Sequence, residues 1–104
     1  MQQINSTPYH SQAANDDSAV DKFSEAMKEK LAKSRAKGRY GWDDVFMCTN
    51  EHLAECLIAH LFKGNEGTFE DIANFAMMLH HRRADPKVLS NLATDMLGED
   101  NESV

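Results

Sequence analysis

Residues 68–83 read Thr-Phe-Glu-Asp-Ile-Ala-Asn-Phe-Ala-Met-Met-Leu-His-His-Arg-Arg, a stretch that argues its own conformation more fully than its neighbours do. Ile72, Phe75, Ala76 and Leu79 recur at helical spacing and form one apolar stripe. Thr68 stands where an N-cap belongs, with Asp71 three residues on in the manner of a capping box. Acids open the segment and His80-His81-Arg82-Arg83 closes it, an order that suits the two ends of a helix dipole. The pattern predicts a helix.

Outward from it the same logic repeats. Downstream, Asp85-Pro86 pairs a capping residue with a proline at the first helical position. That predicts a short helix carrying Leu89, Leu92 and Met96, closed by Gly98. Upstream, Gly64 stops a helix that opens at Thr49 or Asn50 and runs to Phe62, with Leu53, Cys56, Leu57 and Leu61 as its stripe. A further helix starts near Ser18, carries Val20, Phe23, Met27 and Leu31, and ends at Gly38 behind a cationic last turn. A loop from Gly38 to Asp44, containing Tyr40 and Trp42, joins the two. No segment alternates like a strand between turn residues. The expected fold is all-α: a compact bundle of three to four short helices.

Three regions follow. Residues 1–17 are polar and without periodicity, which predicts a disordered N-terminal arm; residues 18–97 form the helical domain; residues 98–104 are an acidic tail. With 104 residues, 41% of them apolar and 27% charged, the chain suits one domain with a modest core. No apolar run approaches the roughly 18–20 residues that span a bilayer, so no membrane is expected. The first residues lack the basic-then-apolar layout of a secretory signal, which makes the cytoplasm the expected location. Cys48 and Cys56 are too few for a disulfide framework, and Cys56 reads as a small buried thiol. Met27, Met47, Met77, Met78 and Met96 can fill gaps in a thin core or face a second copy, so a homo-oligomer is expected.

The net charge of −6 is unevenly spread. Residues 22–39 hold seven of the 11 cations (Lys22, Lys28, Lys30, Lys33, Arg35, Lys37, Arg39), against Glu25 and Glu29. From Asp43 onward acids dominate. An acidic chain with one basic helix is a poor general nucleic-acid binder, because backbone binding needs many neutralised phosphates. The helix could still meet one nucleotide's phosphates, through residues such as Lys37 and Arg39, or an acidic partner. Its bland alternative is a solvated face.

Several polar residues sit at spacings that chemistry can use. Glu51 and Glu55 are four apart on one helix face, and Asp71 and Asn74 are three apart on the next helix. Two facing helices with paired carboxylates can hold Mg²⁺, which takes oxygen ligands together with substrate phosphates. Glu51, Glu55 and Asp71 are thus the expected metal ligands and catalytic residues. Asn74 would orient substrate, His80 and Arg82 would contact phosphate, and Trp42 could stack on a base. Dipole matching and capping account for the same acids, His and Arg without any chemistry, and Trp42 could equally plug one end of the core.

At this point two segments resemble a known family. Phe23-Ser-Glu-Ala-Met-Lys-Glu-Lys-Leu-Ala-Lys33, continuing to Gly38-Arg-Tyr-Gly-Trp-Asp-Asp44, is one; Asp71-Ile-Ala-Asn-Phe-Ala-Met-Met-Leu-His-His-Arg82, preceded by Lys63-Gly64, is the other. They are similar to a phage and prophage family described as dATP/dGTP diphosphohydrolase-like, within the MazG-type helical group. The resemblance implies a phage origin, a nucleotide or dNTP ligand, Mg²⁺, a helical oligomer, and cleavage between the α and β phosphates. MazG-like enzymes use Glu-x-x-Glu on one helix and Glu-x-x-Asp on the next; this chain carries Glu51-x-x-x-Glu55 and Asp71-x-x-Asn74. Two expectations follow. One is a Mg²⁺-dependent nucleotide pyrophosphohydrolase. The other is a non-catalytic binder, sequestering a nucleotide signal or docking on a host protein in counter-defence.

Overall fold

The computed structural model describes residues 8–96 and residue 98, and every regular element among them is helical. Four helices run in order: α1 Pro8–Ala36, α2 Asn50–His60, α3 Thr68–His81 and α4 Lys87–Met96. The all-α expectation holds.

Helix α1 is longer than its sequence suggests. It begins at Pro8, not near Ser18, so residues 8–17 of the anticipated disordered arm are helical and Ser18 is an interior residue. Proline at a helix start needs no N–H partner and has its φ pre-set. Gln12 Nε2 then donates to Asp16 Oδ1 at 2.7 Å, a one-turn side-chain tie. Residues 1–7 and 99–104, where the rest of the arm and nearly all of the tail were expected, lie outside the described residues.

Helix α2 opens as anticipated: Thr49 caps it, its side chain accepting from His52 N at 3.0 Å. It ends two residues early, at His60, because the chain tightens into i→i+3 bonds from Leu61, Phe62 and Lys63. Leu61 and Phe62 consequently face outward. The buried face is Leu53, Ala54, Leu57 and Ile58, a pair of adjacent tracks in place of the anticipated stripe, because α2 has both α3 and α4 packed against it. Cys56 lies at its margin, half-buried.

Helix α3 is not capped by Thr68. Its N-cap is Gly67, in the left-handed region at φ 89°, with no side-chain cap. Thr68 Oγ1 turns back to Asn65, donating to Oδ1 at 2.7 Å and accepting from the backbone N at 3.1 Å, so it closes the preceding turn. A Cβ on residue 67 would stand 3.0 Å from Lys30 Nζ, which adds a steric reason for glycine there. At the far end Ala84 N reaches Leu79 O at 3.0 Å and Arg83 adopts φ 53°, a left-handed exit of the Schellman kind without a glycine. Asp85 Oδ1 accepts from Lys87 N at 3.0 Å and starts α4 as its sequence suggests.

The core is Leu53, Ala54, Leu57, Met78 and Leu79, with Leu31, Trp42, Ile72, Phe75, Val88 and Leu92 among the half-buried residues around it. Only the C-terminal part of α1 belongs to this bundle: Met27, Leu31 and Ser34 are half-buried, whereas every residue from His10 to Phe23 is exposed. The radius of gyration is 17.8 Å, against about 13 Å for a compact domain of this length. The molecule is a small bundle with a projecting helix.

Candidate functional site

The polar side chains gather where α1 crosses the start of α3. Asp71, in the first turn of α3, is held from two sides: Lys30 Nζ lies 3.2 Å from Oδ1, and His60 Nε2 lies 3.7 Å from Oδ2. His60 is fixed in turn by Nδ1 donating to Cys56 O at 2.8 Å, and its ring lies 5.0 Å from that of Phe75. Three helices therefore meet at one carboxylate: α1 through Lys30, α2 through His60 and α3 through Asp71. Asn74, one turn along α3, is 4% exposed; its amide donates to Met27 O at 3.1 Å while its Oδ1 is buried with no hydrogen-bond partner. An amide at that position ties α3 to α1.

Beside this network opens a polar cleft of about 360 Å³, lined by Glu29, Lys30, Lys33, Glu66, Gly67 and Glu70 among others. Its acids outnumber its cations, and Lys30 is already engaged by Asp71. A second hollow, about 280 Å³, lies between α3 and α4 and is mostly apolar, with Leu57, Leu79, Val88 and Leu89 in its wall and His80 at its edge.

The anticipated residues fall in several places. Glu51 and Glu55 are exposed on α2, and Glu55 Oε1 is 4.0 Å from its neighbour His52. No three His, Cys, Asp or Glu side chains are arranged to hold a metal ion among the described residues, so Glu51, Glu55 and Asp71 do not come together as a cation site within one chain. Arg82 is turned inward: Nη1 donates to Trp42 O at 2.8 Å and also to Cys48 O. It clasps the α1–α2 loop to the end of α3. Trp42 is half-buried against the core, edge-on to His81 with ring centroids 5.5 Å apart. It plugs one end of the bundle. Gly41 admits the side chain of Met47, whose terminal carbon would stand 2.9 Å from a Cβ there.

Lys37 and Arg39 are exposed, and with Lys33 and Arg35 they crowd the end of α1. Tyr40 follows at 72% exposure. That end carries more positive charge than a helix C-terminus neutralises, which is about half a unit. Lys30 and His60 are the members of the central network that spacing does not single out. Lys30 is one of many lysines on a basic helix, and His60 is marked only by its apolar neighbours.

The acidity of Cys56 is displaced. Burial pushes its thiol above 9.0, with help from Cys48 and Glu55, against a smaller opposing pull from Lys63. Its Sγ lies 3.5 Å from His52 Nε2. A thiol held protonated is a weak nucleophile, so Cys56 is not an activated cysteine.

No family model, curated protein or solved structure matches this chain.

Proposed function

We propose that this protein works by binding and not by hydrolysis, and that its ligand is a nucleotide held through its phosphates at the cationic end of α1. The observation that carries the first half is the state of Asp71. Lys30 Nζ already pairs with its Oδ1 and the His60 ring stands beside its Oδ2, in the position where a hydrolase of the MazG-like type would need a carboxylate free for Mg²⁺. Asn74 adds no charge, and Glu51 and Glu55 stand apart in solvent.

The ligand class comes from the resemblance to phage nucleotide enzymes, and the cationic run supports it. Lys33, Arg35, Lys37 and Arg39 project within two turns, with the Tyr40 ring exposed next to them. Guanidinium and ammonium groups suit phosphate oxygens, and an exposed tyrosine ring offers a base something to stack on. A phage protein of this kind would sequester a nucleotide without consuming it, as a counter-defence device would require.

Calorimetry with each dNTP, in EDTA and again in Mg²⁺, tests both halves, alongside a pyrophosphate-release assay. Binding is expected in EDTA, with no pyrophosphate in either condition. Lys37→Ala with Arg39→Ala should weaken binding by about tenfold or more, since each charged contact is worth roughly 1 kcal/mol at an exposed site. Steady turnover in Mg²⁺ would show a hydrolase. Absence of heat with every nucleotide would remove the ligand.

A further inference from the structure

Helix α2 carries a pair of metal-ligating side chains away from the network at Asp71. His52 and Cys56 are one turn apart, so they rise from one face of the helix. Cys56 Sγ lies 3.5 Å from His52 Nε2. His52 is exposed and Cys56 half-buried, so the space between them opens to solvent. On the other edge of the imidazole, Nδ1 is turned to Glu55 Oε1 at 4.0 Å.

The separation of the two ligand atoms selects a geometry. Zinc binds sulfur at about 2.3 Å and imidazole nitrogen at about 2.0–2.1 Å. A tetrahedral angle between those bonds sets sulfur and nitrogen about 3.5–3.6 Å apart. A right angle would set them about 3.1 Å apart, and a linear arrangement about 4.3–4.4 Å. The observed distance is the tetrahedral one, so an ion can join the two side chains without moving the helix. Glu55 stands where a metal-bound histidine ordinarily has a carboxylate, at the second ring nitrogen, which fixes the nitrogen that faces the metal. Thiol and imidazole suit a borderline-soft cation and not Mg²⁺, which takes oxygen ligands.

We infer that His52 and Cys56 chelate one Zn²⁺ ion across a single turn of α2, with water in the remaining positions. Cys56 enters as the thiolate, and its proton passes to the buffer as the sulfur–zinc bond forms. No third His, Cys, Asp or Glu joins the pair among the described residues, so the site is open. With half the protein ligands of a closed site, its dissociation constant should be on the order of 10 µM. The site uses neither Asp71 nor the cationic end of α1, and so stands apart from the nucleotide reading.

Calorimetry of the full chain with Zn²⁺ alone, kept reduced with a phosphine, should show one-to-one binding of that strength. Cd²⁺ should add the ultraviolet difference absorbance of a thiolate–cadmium bond, which reads sulfur ligation directly. Cys56→Ser should abolish that absorbance, and His52→Ala should weaken binding of either ion at least tenfold, with helical content by circular dichroism unchanged. Cys48→Ser should leave both readouts as they are in wild type. Absence of Zn²⁺ binding up to about 1 mM overturns the proposal and leaves the pair as a thiol–imidazole hydrogen bond. A cadmium band that survives Cys56→Ser overturns it by placing the ion on Cys48, and zinc binding indifferent to His52→Ala overturns it as well. Nucleotide binding is read in EDTA, so none of these outcomes bears on it.

Discussion

Arg82→Met is the substitution that best separates a structural arginine from a ligand-binding one. Nη1 donates to Trp42 O and Cys48 O, two carbonyls in the loop that joins α1 to α2. Hydrogen bonds from a charged donor contribute about 1.5–3 kcal/mol each. Arg82 is half-buried, and water can reach part of the loop once the guanidinium is gone. Halving the sum leaves about 1.5–3 kcal/mol of lost stability. For a domain near 100 residues that corresponds to a fall in Tm of roughly 6–24 °C. Urea unfolding followed by circular dichroism gives the global change. The single tryptophan, Trp42, reports the loop itself, and its emission should shift to the red in the native variant. Arg82→Lys should fall between the two, because one ammonium cannot reproduce the rigid fork of a guanidinium. If Arg82→Met lies within about 0.5 kcal/mol of wild type, the ordinary range for a surface change, and leaves Trp42 emission unmoved, the clasp is not holding the loop. Loss of nucleotide binding in that same variant would return Arg82 to the phosphate.

Two other outcomes follow from the same geometry. Asn74→Asp should not create a Mg²⁺ site; it removes the donor to Met27 O and buries a carboxylate, at a cost of about 3–5 kcal/mol in urea unfolding. A variant whose midpoint rises with added Mg²⁺ would contradict that. For Cys56 the thiol is raised in the folded state, so above 9.0 the unfolded chain sheds this proton first. Its contribution to stability is therefore complete below 9.0 and lost as pH climbs through the higher folded value. Stability curves of wild type and Cys56→Ser, measured from pH 7 to 10.5, should run parallel at first and converge at the alkaline end; curves that stay parallel throughout would count against it.

Much of the fold is legible in local chemistry. Thr49 caps α2 because its hydroxyl reaches the His52 amide, and Asp85 starts α4 in the same way; both depend on residues within one turn. The exit from α3 is another matter. No glycine follows His81, and Arg83 takes the left-handed conformation only because Ala84, Val88 and Leu89 must return to the core. Thr68 reads as a cap for α3 but is claimed by Asn65, which nothing in a single-helix pattern reveals.

For the site, the sequence determined by itself which residues could matter: an acid at 71, an amide at 74 amid apolar neighbours, and a cationic run ending α1. Those follow from residue type and helical period, which are local. What only the tertiary structure decided is who meets whom. Asp71 is met by Lys30 and His60, which lie 41 and 11 positions before it on two other helices, and not by Glu51 or Glu55. Arg82 turns to backbone carbonyls 40 and 34 residues away. Side-chain partners at such separations are set by how helices pack, and helical periodicity fixes only the face from which each side chain sets out.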